Sequence, residues 1–252
     1  MSVEIREVLN RRTDLSTFVV HLTRDDTPND YAPDAFPLPL PDARANLRSI
    51  IEGRALSAGR AMGWALGVPG LALNDAERES QRVVCFSETP LEHAYSLFSD
   101  IRNRAVKLKP YGVAFTKMVA RRMGIQPVWY VDMTPGRAWV VSEALNGLVR
   151  AAAGTLNVAN IGKMTPFIEG MGTWAGGDPE QREFWWEREW RHHGQIDLAP
   201  WWDKAVWLCP EEQSASSAPW WKPWAEFPAP VSTPIGDWSR SSATCRDSPP
   251  TT

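Results

Sequence analysis

Apolar positions along the chain recur at two spacings. Val3, Ile5, Val8 and Leu9 fall near a helical period behind Ser2, a suitable cap, so 3–12 reads as a helix. TFVVHL (17–22) runs as a short buried strand that closes on a histidine. The next stretch, TRDDTPNDYAPDAFPLPLP, holds too much Pro and Asp for either element and reads as a loop, of a length that often covers a site. Pro41 and Asp42 open a helix with Leu47, Ile50 and Ile51 on one side and Gly53 as its stop. QRVVCFS (81–87) predicts a second strand and LEHAYSLF a short helix. YGVAFTK (111–117) is a third strand, KMVARRMG one or two helical turns ended by Gly124, and PVWYVD (127–132) a fourth strand. GRAWVVSEALNGLVRAAA (136–153) is helical by pattern, whereas Gly and Pro over 155–180 predict loops or short irregular elements.

Beyond Pro210 neither period survives, and Ser, Pro and Thr dominate. This shift sets a boundary between an α+β domain over 1–210 and a Pro/Ser/Trp-rich tail over 211–252, whose last residues are expected to be disordered. Strands and helices mix without strict alternation, and no glycine-rich phosphate loop follows a strand. The pattern therefore predicts a single mixed or antiparallel sheet with flanking helices, not a doubly wound nucleotide fold.

FWWEREWRHH (184–193) fits neither a plain surface helix nor a plain core strand. Read as a strand, Trp185, Glu187, Glu189 and Arg191 line one side, and Phe184, Trp186, Arg188 and Trp190 the other. Two carboxylates walled by indoles would be raised in pKa by desolvation and mutual repulsion, unless an arginine supplies a counter-charge. The competing reading is a Glu–Arg ladder on an exposed sheet face.

Composition narrows the classes. The hydrophobic share of 43% over 252 residues suits a chain that buries a sizeable core. Lys plus Arg (27) nearly balances Asp plus Glu (30), so the net charge of −3 predicts no long-range pull toward nucleic acid or anionic membrane. Fourteen tryptophans are far above ordinary usage, and core or seam packing is the first expectation for each. Cys85, Cys209 and Cys245 show neither metal-ligand spacing nor an even disulfide framework, and the four histidines make no metal-binding pattern with carboxylates. No signal segment and no long apolar run is seen, so a cytoplasmic protein without membrane association or a metal is expected.

Two segments place polar groups at strand ends. VVHLTR (19–24) sets His21, Thr23 and Arg24 where they can hydrogen-bond a ribose or phosphate, or simply end a strand in solvent. VVCFSETP (83–90) sets Ser87 and Glu88 where the chain leaves the sheet, facing a cleft or capping the next helix.

VHLTR, NLRSIIEGRALSA, RVVCFSETPLEHAYSLF, YGVAFTK and EFWWEREWR, in that order, resemble the AbiGi family of abortive phage resistance proteins, usually described as antitoxins. The resemblance spans roughly Phe18 to Leu198. A histidine on the first strand, a later strand ending in Ser and a late E-x-E are also similar to the ADP-ribosyltransferase pattern, including DNA-targeting DarT-like enzymes. That similarity implies NAD as cofactor, held by His21, Thr23, Arg24, Ser87, Glu88, Tyr111 and Arg191. Glu189 would stabilise the oxocarbenium-like charge as nicotinamide leaves, and Glu187 would orient or deprotonate a nucleic-acid or protein acceptor. The AbiGi resemblance implies instead a non-catalytic antitoxin for a cognate toxin or phage component, with an exposed apolar patch, for which WWKPW (220–224) is the candidate, and a Glu–Arg cluster satisfied within itself. The enzyme requires His21 and Glu189 to converge on one cleft.

Overall fold

A computed structural model describes residues 15–30, 37–90, 94–98, 106–134, 139–172, 187–210 and 232–234. The predicted helix over 3–12, Phe184 to Trp186 and most of the tail lie outside them. The architecture is α+β, as the pattern predicts.

Its centre is a seven-stranded sheet. In chain order its strands are β1 (Phe18–Arg24), β3 (Val83–Ser87), β4 (Leu108–Thr116), β5 (Gln126–Pro127), β8 (Glu189–His193), β10 (Val206–Cys209) and β11 (Ser232–Pro234). In space the order is β11-β10-β4-β1-β3-β8-β5, antiparallel except for the β10–β11 pair. Two small sheets flank it: β2 (Ala55–Leu56) with β9 (Ile196–Asp197), and β6 (Trp129–Asp132) in parallel with β7 (Ile168–Met171).

One face of the large sheet carries Val19, Val84, Phe86, Val113, Phe115 and Trp190. Against it pack Leu47 and Ile51 of α1 (Ala43–Gly53), capped by the Asp42 carboxylate accepting from the Ala45 N–H at 2.7 Å. Ala120 of α4 (Lys117–Arg122) completes that core, between the Thr116 cap and the turn at Gly124. The other face presents Val20, Leu22 and Ala114 to Leu97 of α3 (Tyr95–Phe98), which follows the five-residue α2 (Asp75–Glu79). A second core, built from Trp64, Val68, Val149, Leu156 and Ile168, involves α5 (Trp139–Ala151) and the chain around α6 (Asn160–Met164).

Three expectations need correction. PVWYVD is not one strand: β5 pairs with β8 in the large sheet, and after Val128 the chain passes to β6 in a separate one. Within 155–180, the described part up to Gly172 is more regular than its glycines suggested, since it contains α6 and β7. The tail contributes β11, beside Trp207 to Cys209, although its sequence shows no strand period. The core expectation for tryptophan fits Trp64, Trp190 and Trp207, which are buried, whereas Trp129 is 60% exposed.

Candidate functional site

Register fixes where the proposed site residues lie. Val20 stands opposite Ser87 and Ser87 opposite Glu189, so His21 aligns with Phe86 and Trp190 one step along. Side chains alternate along strands. His21 therefore shares the α1 face with Phe86, ring centroids 5.6 Å apart, while Glu189 and Arg191 share the opposite face with Cys85. Two strand spacings, roughly 10 Å, and the sheet itself separate the histidine from the glutamate. The convergence that the NAD site requires is not what this fold provides.

The remaining members of the set are also dispersed. His21 donates from Nδ1 to the Cys85 carbonyl at 2.8 Å, and burial pushes its pKa down, so it sits as a neutral ring within the sheet. The Thr23 hydroxyl lies 2.7 Å from the Ala43 carbonyl and 3.1 Å from that of Tyr111, which ties the start of α1 to β1 and β4. Arg24 pairs with Asp30 and thereby holds the 25–30 turn. Tyr111 packs against the main core. Thr23, Arg24 and Tyr111 belong to the end of β1 away from Ser87, whereas His21 lies one step from Val20, the residue opposite Ser87.

Among the described residues, Ser87 is engaged by the chain on either side of it. Its hydroxyl donates to the Glu187 carbonyl at 2.8 Å and lies 2.8 Å from Thr89 Oγ1, locking the end of β3 to the chain entering β8. The expected continuous strand through FWWEREWRHH is also corrected. β8 begins only at Glu189, and Arg188 adopts a left-handed backbone (φ 46°), so strand alternation does not carry back to Glu187.

Arg191 is the central group of this segment. It is fully buried, and its Nε and one terminal nitrogen donate to the two oxygens of Glu189 at 3.0 and 2.8 Å. Further bonds run to Glu169 Oε2 and the Pro166 carbonyl, each at 2.7 Å. Burial alone would lower the arginine pKa, but Glu189 and then Glu169 outweigh it and hold the guanidinium charged. Burial, followed by the Glu189 charge, pushes the Cys85 thiol well up, which keeps it from acting as a thiolate. The segment is neither an exposed ladder nor a pair of free acids, but a buried charge network.

On the α1 side, Glu88 accepts from Trp190 Nε1 at 2.7 Å and from Lys117 at 2.5 Å, with Arg188 at 3.7 Å. Arg121 lies 5.7 Å above the Trp190 ring. A cleft of about 370 Å³ opens here, lined by Glu88, Tyr130, Met171, Arg188, Glu189 and Trp190. Tyr130 accepts from the Glu189 N–H at 3.0 Å, and burial raises its pKa, so it remains a phenol. Glu88 and Glu189 were expected from the sequence. Arg188 was read as a counter-charge for this segment, and it pairs with Glu88. Tyr130, Lys117 and Glu169 were not expected, because their meeting depends on strand pairing rather than on spacing.

One further surface stands out. Along α5, Val140, Val141 and Leu148 are 72%, 55% and 56% exposed, with exposed Ala144 and Gly147 between them. Val149 on the inner side belongs to the second core. Glu143 and Arg150 are also exposed on this helix, so the apolar strip runs beside charged positions. Among the described residues no His, Cys, Asp and Glu group is arranged to hold a metal ion, and no helix is long and apolar enough to cross a membrane. Comparison with family models, curated proteins and solved structures finds no match to this chain.

Proposed function

We propose that the chain acts in bacterial phage defence by binding a partner protein, in the manner of the antitoxins that its AbiGi-like segments resemble. The observation that carries the binding role is the outer face of α5. Scattered exposed apolar residues are ordinary, but Val140, Val141, Ala144 and Leu148 form a continuous strip at helical spacing. The Glu–Arg cluster supports the same reading, because Glu189 is engaged by Arg191 through both oxygens. A cognate toxin is the partner class that the resemblance implies.

An NAD-using, ADP-ribosyltransferase-like enzyme is the second reading, favoured by one observation. The strands that bear His21, Ser87 and Glu189 are consecutive in the sheet, in the order β1-β3-β8. Against it, the histidine and the glutamate leave the sheet by opposite faces.

Two assays separate the readings. Phage plating on cells carrying wild type or Val141→Asp/Leu148→Asp, with thermal melting of both proteins, tests the strip. Loss of protection and of the co-purifying partner, with melting unchanged, is expected. Nicotinamide release from NAD, measured with infected-cell extract as acceptor source, is expected to match the buffer blank. Release that disappears in Glu189→Gln, together with protection indifferent to the α5 variant, would establish the enzyme instead.

A further inference from the structure

The Arg191 network is unbalanced in charge. One guanidinium serves two carboxylates, so Arg191, Glu189 and Glu169 together carry one net negative charge. The two acids are unequal partners. Glu189 spends both oxygens on Arg191, while Glu169 spends only Oε2; its Oε1 has no partner among the described residues. The Glu169 side chain is 31% exposed, so this oxygen is the accessible end of the network.

Glu169 opens on a cleft of about 410 Å³, separate from the one beside Trp190 and lined also by Met62, Trp64, Leu66, Met133 and Asn146. Its walls are thus mostly thioether, indole and aliphatic groups. The Asn146 side chain is oriented by Trp64, whose Nε1 donates to Asn146 Oδ1 at 3.0 Å. That bond leaves the Asn146 NH2 group as a donor with no partner among the described residues. Gly63 shapes the floor: its φ is 104°, and a Cβ there would lie 2.2 Å from the Thr165 carbonyl oxygen.

The geometry points to a binding site for a small organic cation in this cleft, with its charged N–H group on Glu169 Oε1 and its apolar body against Met62, Leu66 and Met133. An acceptor atom on the ligand would meet the Asn146 amide. The excess negative charge selects against anions, and a single available carboxylate beside apolar walls suits an amidinium or similar delocalised cation better than a metal ion. Thioether and indole surfaces are polarisable contacts for such a ligand. The site does not depend on the partner-binding reading, since the α5 strip takes no part in it.

Benzamidine is a suitable probe and neutral benzamide, of nearly the same shape, its control; both are titrated calorimetrically into the full-length protein. Saturable benzamidine binding is expected, with benzamide weaker by about tenfold or more, the loss of one charge-assisted hydrogen bond. Glu169→Gln is expected to weaken benzamidine by a similar factor and to leave benzamide unchanged. Leu66→Trp, which fills the cleft without altering charge, should remove both. Equal binding of the two probes, benzamidine binding indifferent to Glu169→Gln, or no saturable binding to wild type of normal melting temperature would each overturn the assignment.

Discussion

His21 and Arg191 show how far a residue's surroundings govern its chemistry. A histidine held neutral by burial binds fewer protons in the fold than in the unfolded chain. Stability therefore rises with pH between its lowered pKa and the ordinary 6.5, and is lost as pH falls through that window. Melting temperatures between pH 7 and 5 should fall for wild type and fall less steeply for His21→Gln. Arg191 makes a larger contribution. Replacing it with Met strands Glu189 and Glu169 around a buried gap, and a cost of about 3–5 kcal/mol is expected in chemical denaturation. Arg191→Lys should recover only part of this, because an ammonium does not reproduce the forked contacts to Glu189.

At the scale of elements, the short α2 is held by its ends. Asn74 and Glu77 form a reciprocal capping box, and the same Glu77 carboxylate accepts from the N–H groups of Gly154 and Leu156 at 2.7 and 3.2 Å. A five-residue helix thereby fixes the turn that follows α5. The Asn74 N–H, opposed by burial and joined by those of Leu156 and Gly154, holds the Glu77 carboxyl below its ordinary range. Its contribution is thus present above pH 4.5 and lost as pH falls through the lowered value. Glu77→Ala leaves buried donors unsatisfied and should cost on the order of 3 kcal/mol by urea denaturation. Polar substitution on the outer strip of α5 is expected to change stability by less than about 0.5 kcal/mol, so any loss of binding there reads out the surface and not the fold.

Across the whole molecule, the second core is joined to the sheet by polar ties as well as apolar packing. Gln81, fully buried just before β3, donates to the Gly162 carbonyl at 3.1 Å and accepts from the Thr165 hydroxyl at 2.7 Å. Arg191 adds its bond to Pro166 from β8. Gly63 passes under this junction with a positive φ of 104° and no room for a side chain. Gly63→Ala should lower stability by more than about 1 kcal/mol. It should also speed amide exchange around 62–66 and 162–168 before it does so in β1 and β4.

The sequence by itself determined the elements whose burial pattern repeats locally. β1, β3, β4, α1 and the core of α5 follow from apolar spacing, caps and stops, and so does the α+β class. It also determined that FWWEREWRHH had to reconcile charge with burial, and that Ser87 and Glu88 would sit where a strand ends. Tertiary structure decided the rest, because pairing and facing depend on residues far apart in the chain. PVWYVD splits between two sheets only because β8 and β7 offer separate partners. Glu189 is closed by Arg191 and linked to Glu169 only because β7 and β8 come together at the second core. The order of His, Ser and Glu along the chain survives as the order of their strands, yet the pleat sends His21 and Glu189 to opposite faces. Local spacing fixes which strand carries a side chain; the register between strands fixes which side of the sheet it can reach.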